Sequence, residues 1–568
     1  KKGKTLEEDF EIEEDAIALD GVVVSANRSE TTRRMAPTLV NVVDLKLFET
    51  TNSSTLSQGL NFQPGVRVET NCQNCGFQQV RINGLDGPYT QILIDSRPVF
   101  SALSGVYGLE QIPASMIERV EVMRGGGSAL FGSSAIAGTI NIITKEPLRN
   151  SGQLSHTITS LGGSSSFDNN TSLNASLVTD DHRAGLYIFG QNRYRSGYDY
   201  DGDGFTELPK LKNQTVGFRS YLKTSTYSKL TFEYHHMQEF RRGGDMLNRP
   251  PHEAHIAEQL QHSIDGGSLK FDYFSPDEKN RLSVFASAAN TDRDSYYGPG
   301  NDPLKAYGKT TDLTAMGGAQ YVHTFDKCFF MPSDLTAGLE YNRDRLKDNM
   351  WGYNRHTDQT VNIYSAFLQN EWKNDRWGIL IGGRLDKHNM VDNVIFSPRA
   401  NLRFNPTQNI NLRLSYSSGF RAPQAFDEDM HIENVGGTVA MIERAKDLKE
   451  EKSQSFSVSA DMYHRFGAFQ TNLLIEGFYT RLTDVFVLGE PYDRGDGILV
   501  KTRSNGPGAK VMGLTLEGKV AYLSILQIQA GLTLQRSRYD EPHKWHDDAP
   551  AEKKIFRTPD TYGYFTAT

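Results

Sequence analysis

From about residue 150 onward, apolar and polar residues alternate singly along the chain. In Leu526–Gln535 the apolar set is Leu526, Ile528, Ala530, Leu532 and Leu534, interleaved with Gln527, Gln529, Gly531, Thr533 and Gln535. Leu412, Leu414 and Tyr416 repeat the pattern, as do Trp377, Ile379, Ile381, Gly383 and Leu385. A period of two sends successive side chains to opposite faces of a strand. A sandwich and a barrel both give this alternation, and the connections separate them. About 18 strands fit between residues 153 and 568 by this period. Their connections alternate short and long. The short ones include Asp181-His182, Asn374-Asp375, Pro406-Thr407 and Leu523-Ser524. The long ones cover about 194–212, 238–262, 291–310, 347–360, 419–452 and 538–557. In a meander, alternate connections lie at one end, so the long ones gather at a single rim. Outer-membrane barrels have this asymmetry, and a sandwich has no reason for it.

The first 150 residues follow another pattern. Ser54–Gly59 and Ala114–Ile117 read as helical turns, and Val66–Glu69, Val80–Ile82 and Gln91–Ile94 as strands. Between Ile117 and Lys145, two strand-like runs, Ile117–Met123 and Thr139–Thr144, flank the glycine-rich turn Gly125-Gly-Gly-Ser128 and a small-residue bend. A compact α+β unit followed by a very long meander predicts a barrel with a domain inside it. Wide barrels of 22 strands are the plugged kind. The expected fold is therefore membrane all-β: a 22-stranded antiparallel transmembrane β-barrel with an N-terminal α+β plug domain in its lumen. The run Tyr564–Thr568 ends in mid-strand, which leads us to expect about four further closing strands.

Composition agrees with a barrel. The chain has 568 residues, 38% of them hydrophobic, and a mean hydropathy of -0.51. It has no apolar run of about 20 residues that could cross a bilayer as a helix. Its 25 Tyr and 30 Phe suit the aromatic girdles of membrane barrels. A net charge of -8 argues against nucleic acid as a partner. Three cysteines make no disulfide framework. The start, Lys1-Lys-Gly-Lys4, turns acidic over Glu7–Asp15 and lacks the apolar segment of a secretory signal, so an exported chain would be a mature or trimmed form. Gly125-Gly-Gly-Ser128 lacks the Gly-Lys-Ser/Thr ending of a phosphate loop. No serine elbow or His-Glu-x-x-His helix is present, so no enzyme is expected.

Some residues carry candidate chemistry. Cys72-Gln-Asn-Cys75 can form a disulfide or contact a soft metal. With no second such pair, a closed zinc site is not expected. Asp199, Asp201, Asp203 and Glu207 surround glycines in a predicted external loop, a donor set suited to Ca²⁺ or simply to a solvated acidic turn. Position twelve of that loop is Lys210, so it is not an EF-hand. His235, His236, His252, His255, His262 and His431 fall at external positions, as ligands or as exposed polar residues. Arg119, Glu121 and Arg124 alternate along one strand and are expected to make ion pairs with the barrel wall.

Four motifs in order carry a resemblance to the TonB-dependent outer-membrane receptors, over essentially the whole chain. Asp20-Gly-Val-Val-Val-Ser-Ala26 resembles a TonB box. Val80-Arg-Ile-Asn-Gly-Leu85 with Gln91-Ile-Leu-Ile-Asp95 resembles the plug core, and Ile117–Lys145 its end. Gly419-Phe-Arg-Ala-Pro423, with Glu451-Lys-Ser453 opening the next strand, resembles the loop box of haem, siderophore and cobalamin receptors. The wording is most similar to receptors of Bacteroidetes, and Thr5–Ile17 then resembles the end of a small N-terminal extension. The resemblance divides the chain into 1–19 (extension), 20–29 (TonB box and linker), 30–147 (plug) and 148–568 (barrel). It implies no enzymatic activity and no catalytic cofactor. A scarce metal chelate would bind outside, between plug apex and loops. TonB would then grip an extended run with unpaired backbone, Asp20, Gly21, Val22, Val23 and Val24, by strand pairing. Cys72, Cys75, Arg421, His431, His252 and His255 are the ligand-binding candidates that follow. The chelate is a ferric siderophore or haem, with cobalamin as the alternative. Where haem receptors carry Asn-Pro-Asn-Leu, this chain has Asn434-Val-Gly-Gly437. Outer-membrane lipid is an implied partner, and a surface lipoprotein over the mouth is one that the resemblance admits. A passive barrel or adhesin, the competing reading, has no use for a plug or a TonB box.

Overall fold

The computed structural model describes residues 21–72, 76–98, 110, 112–299, 306–435, 438–523, 525–544 and 550–568. The expected extension, Thr5–Ile17, and Asp20 of the expected TonB box lie outside the described residues.

Among the described residues, nineteen strands form one antiparallel sheet that begins at Ser151–Ser160 and ends at Thr561–Ala567. Without the three-residue Glu552–Lys554, eighteen remain, as the alternation predicts. Connections at one rim are tight, such as 329–330 between Tyr307–Cys328 and Met331–Met350. At the other rim they are long, notably 422–450, 484–508 and 544–560. Three expected loops are corrected; in the first, 291–310, the ladder runs on to Tyr296 opposite Tyr307. The ladder between Ser228–Gly244 and Ile256–Phe274 continues to Gly244 opposite Ala257, which leaves only 245–255 as loop. Likewise Met350 pairs with Arg355, leaving 351–354 of the expected 347–360. Polar composition does not end a ladder whose backbone groups satisfy one another. Tyr307–Cys328 therefore reaches 22 residues, about twice what a bilayer requires of a strand.

The alternation resolves into an inverted distribution of polarity. Leu532 and Leu534 are exposed at 39% and 41%, whereas Gln529, Thr533 and Gln535 on the same strand are buried. The largest fully buried side chains include Arg193, Arg241, Arg242, Arg293 and Arg403. Apolar residues outside and hydrogen-bonding residues inside suit lipid on one face and a polar filling on the other.

That filling is the N-terminal unit. Its five-stranded sheet runs, in order, Val40–Asp44, Ile117–Arg124, Gly138–Thr144, Thr90–Ile94 and Arg97–Pro98. Two short helices follow the first strand. Leu45–Thr50 is capped by the Asp44 carboxylate, which accepts from the Leu47 amide at 2.9 Å. Leu56–Leu60 turns Leu56 and Leu60 into a core with Phe48, Ile82, Val120, Ile140 and Ile142. Gly138 is required where the last strand crosses its neighbour: a Cβ there would lie 2.2 Å from the Met123 carbonyl oxygen. A separate hairpin, Val66–Cys72 with Phe77–Ile82, projects toward the long-loop rim.

Polar pairs hold this plug against the wall. Arg124 meets Glu476 at 2.7 Å, with both side chains no more than 2% exposed. Glu110 receives Arg241 at 2.8 Å and Arg195 at 3.3 Å. Arg384 donates to the Leu130 carbonyl at 3.1 Å. Of the three alternating residues expected to reach the wall, Arg124 does so. Arg119 instead pairs within its own strand, with Glu118 and Glu121.

Candidate functional site

Two constellations sit at opposite ends of the plug. The first lines a cavity of about 790 Å³ at the long-loop rim. The plug supplies Cys72, Arg81, Asp86 and Tyr89, and the wall and loops supply Glu258, Arg421, Glu428, His431 and Arg503. Arg421 ends the strand Ile410–Arg421, and its guanidinium lies 4.4 Å from the ring centre of Phe426, 5.2 Å from Phe486 and 5.6 Å from Tyr89. It is also paired with Glu428 and stands 3.6 Å from Glu451. Tyr89 donates its hydroxyl proton to Glu451 at 2.8 Å, so the plug touches the arginine and its counter-ion together. Arg81 pairs with Glu69 at 2.7 Å and with Asp86. Arg503 bridges Asp429 at 2.8 Å and Glu428 at 3.3 Å.

Burial shapes the acidities here. It raises the Asp86 carboxyl against the opposing pull of Arg81. It also drives the Tyr89 hydroxyl well above its ordinary value, with Glu451 adding to the effect. Asp429 is raised by burial despite Arg503. Arg421, stacked on aromatic rings beside these carboxyls, gives the cavity a floor that is both aromatic and ionic.

Of the ligand candidates read from the sequence, Cys72, Arg421 and His431 line this cavity. His252 and His255 do not. His252 Nδ1 is 2.8 Å from the Tyr307 hydroxyl, and His255 Nδ1 is 2.6 Å from Asp245. The histidines are thus not brought together as a set. Cys75 lies outside the described residues, and with it the expected disulfide; the Cys72 thiol donates to Glu258 at 3.2 Å. Sequence reasoning missed Arg81, Asp86, Tyr89, Glu258 and Arg503. Only Arg81 stood in a recognised motif.

In the external loop, the carboxylates of Asp199, Asp201 and Glu207 come within 4.8 Å of one another. Asp203 is not in that group, and its Oδ1 accepts from the Phe205 amide at 2.8 Å. Asp199 caps the amides of Gly202 and Gly204 at 2.7 and 2.9 Å. Much of the acidity therefore serves the loop's own backbone.

The second constellation holds the segment following Gly21. The expected unpaired run is corrected: Val22 pairs with Thr32 and Val23 with Thr31, and Val23 is fully buried. The reason is placement. Backbone groups packed against the plug need partners, and Thr31–Thr32 and Glu121 provide them. One Glu121 oxygen accepts from the Val24 amide at 2.9 Å and the Ser25 amide at 2.8 Å. The wall then takes over. Arg399 donates to the Ala26 carbonyl at 2.9 Å, Asn27 donates to Glu371 at 2.7 Å, and Arg28 pairs with Glu340 at 2.5 Å.

A lumen-filling plug with a cavity above it and a tethered N-terminal strand below defines a plugged outer-membrane receptor. The chain belongs to the TonB-dependent receptors. Residues 139–568 match the family described as TonB dependent receptor-like, beta-barrel, and residues 32–139 match the TonB-dependent receptor plug domain. The family is one of outer-membrane β-barrels. Among curated relatives, the vitamin B12 transporter BtuB of Vibrio vulnificus (strain CMCP6) is 24% identical over 425 residues. That alignment covers 72% of this chain and 64% of the relative, so the chain spans less than two thirds of its length. Solved structures share the fold. The siderophore receptor PirA from Acinetobacter baumannii superimposes with a TM-score of 0.74 at 18% identity, over 90% of this chain and 82% of that one. A mutant of the ferric enterobactin receptor PfeA from Pseudomonas aeruginosa gives 0.73 at 18%, over 94% and 90%.

Proposed function

We propose that this receptor, of the Bacteroidetes type and closed as a 22-stranded barrel, imports an anionic ferric siderophore across the outer membrane with energy delivered by TonB. The observation that carries this reading is Arg421, seated among Tyr89, Phe426 and Phe486 at the floor of the outer cavity. A catecholate iron complex carries aromatic rings that can stack beside Tyr89 and Phe486, and its oxygens can compete with Glu428 and Glu451 for the Arg421 guanidinium. Haem is less well served, because of the three candidate histidines only His431 lines the cavity, while His252 and His255 are engaged away from it. Cobalamin is the second reading, favoured by the resemblance to a relative described as a vitamin B12 transporter. Ligand contact with Tyr89 and Arg421 would shift the plug loop. That shift would be felt at Glu121 through the plug sheet, and the segment from Asp20 to Ala26 would be released to pair with a strand of TonB.

Deleting Asp20–Ala26 tests the transport reading. Uptake of the iron chelate should vanish while binding to the cell surface persists. Uptake that survives the deletion would identify a passive barrel instead. The visible spectrum of the loaded protein separates catecholate iron, haem and corrinoid.

A further inference from the structure

Among the described residues, one group of side chains in the outer cavity joins three separate parts of the fold. Cys72 ends the plug hairpin strand Val66–Cys72. Glu258 stands near the start of the wall strand Ile256–Phe274. His431 follows the short helix Asp427–Met430 in the long loop. One donor atom from each lies within 4.8 Å of the other two. The Cys72 sulfur and a Glu258 oxygen are already 3.2 Å apart.

We propose that Cys72, Glu258 and His431 form a binding site for a borderline-soft divalent cation of the zinc class, held directly by the protein. The donor set decides the class. Sulfur, imidazole nitrogen and carboxylate oxygen suit Zn²⁺ or Co²⁺, whereas Ca²⁺ and Mg²⁺ take oxygen alone. Tetrahedral sites have bonds of about 2.0–2.3 Å, which place donors roughly 3.5 Å apart. The Cys72–Glu258 pair already has that spacing, and the pairs with His431, within 4.8 Å, would draw in on binding. The thiol that donates to Glu258 loses its proton to solvent as the metal takes its place. Thiolate and carboxylate then neutralise the dication in a setting where Glu258 is only 4% exposed. Support around the ligands is in place. The His431 ring packs edge-on against Tyr297, with centroids 5.2 Å apart and planes at 81°. Tyr297 is the cross-strand partner of Glu258. Three protein donors leave a fourth position facing the cavity, the arrangement of an open rather than a closed zinc site. Bound metal would pin the plug apex to both wall and loop.

This site rests on the same outer cavity as the transport reading but on different side chains, so the two can fail separately. The test uses the purified receptor in detergent, kept reduced with a phosphine, and titrated with Co²⁺ alone. The expected result is one equivalent bound with a thiolate-to-cobalt charge-transfer band that Zn²⁺ bleaches. The band should be absent in Cys72→Ser. Affinity should fall at least about tenfold in His431→Ala and in Glu258→Gln, as for lost ligands or their supports. All three variants should retain the far-ultraviolet circular dichroism of the parent receptor. No band in the reduced protein, or an undiminished band in Cys72→Ser, overturns the inference. If TonB-dependent uptake of the iron chelate persists in that case, the transport reading stands without it.

Discussion

At the scale of single residues, Glu121 has the widest reach. It lies inside the plug sheet, is fully buried, and accepts from two consecutive amides of the N-terminal segment. Hydrogen bonds to a charged acceptor contribute about 1.5–3 kcal/mol each. Glu121→Ala should therefore weaken docking of this segment by roughly 3–6 kcal/mol. A spin label at Val22 should become mobile without ligand, with the barrel still folded. An immobile label in that variant would mean that pairing with Thr31–Thr32 suffices alone. The sequence revealed half of this contact. Val22–Val24 could be recognised as an extended run by its composition, and Glu121 as a charged residue on a plug strand. That Glu121 turns toward the run rather than the wall was not legible, because 97 positions separate Val24 from its acceptor. The same distance problem hid Glu258 from Cys72, 186 positions away.

At the scale of elements, the strands were the legible part. Their period of two survives in the burial of Leu526–His543, and the tight turns fall close to where the short connections were read. The loops were read as too long, since a protruding ladder carries the same polar residues as a loop. Part of what links these elements to the plug is apolar, with Tyr187, Phe189 and Phe478 in the plug's own core, and part is ionic. Glu110 meets Arg193, Arg195 and Arg241 from the strands Ala184–Arg195 and Ser228–Gly244. Burial would raise its pKa, but Arg241, Arg195 and Arg193 prevail and hold it at about 2, below the ordinary 4.5. A carboxylate depressed in the folded state contributes stability that is present above its unfolded value and is lost as pH falls through the folded one. Attachment of the plug at this point should thus weaken as pH drops from 4.5 toward about 2. Hydrogen exchange in the strand Ile117–Arg124 would register the loosening. Glu110→Gln should flatten that pH response, and a response equally steep in the variant would assign it to other carboxyls.

At the scale of the whole molecule, the attachments of the N-terminal segment come in sequence. Val24 and Ser25 bond to Glu121, Ala26 to Arg399, Asn27 to Glu371, and Arg28 to Glu340. A pull applied ahead of Val22 loads the pairing with Thr31–Thr32 first, then the Glu121 bonds, before the attachments behind them. Failure is then serial, as when tape lifts from a surface, rather than simultaneous, as when a bolt shears. The front then advances one attachment at a time, with Val24 and Ser25 leaving Glu121 together. Single-molecule stretching from the N-terminus should record a train of small steps, and one large rupture would show that the tethers share the load.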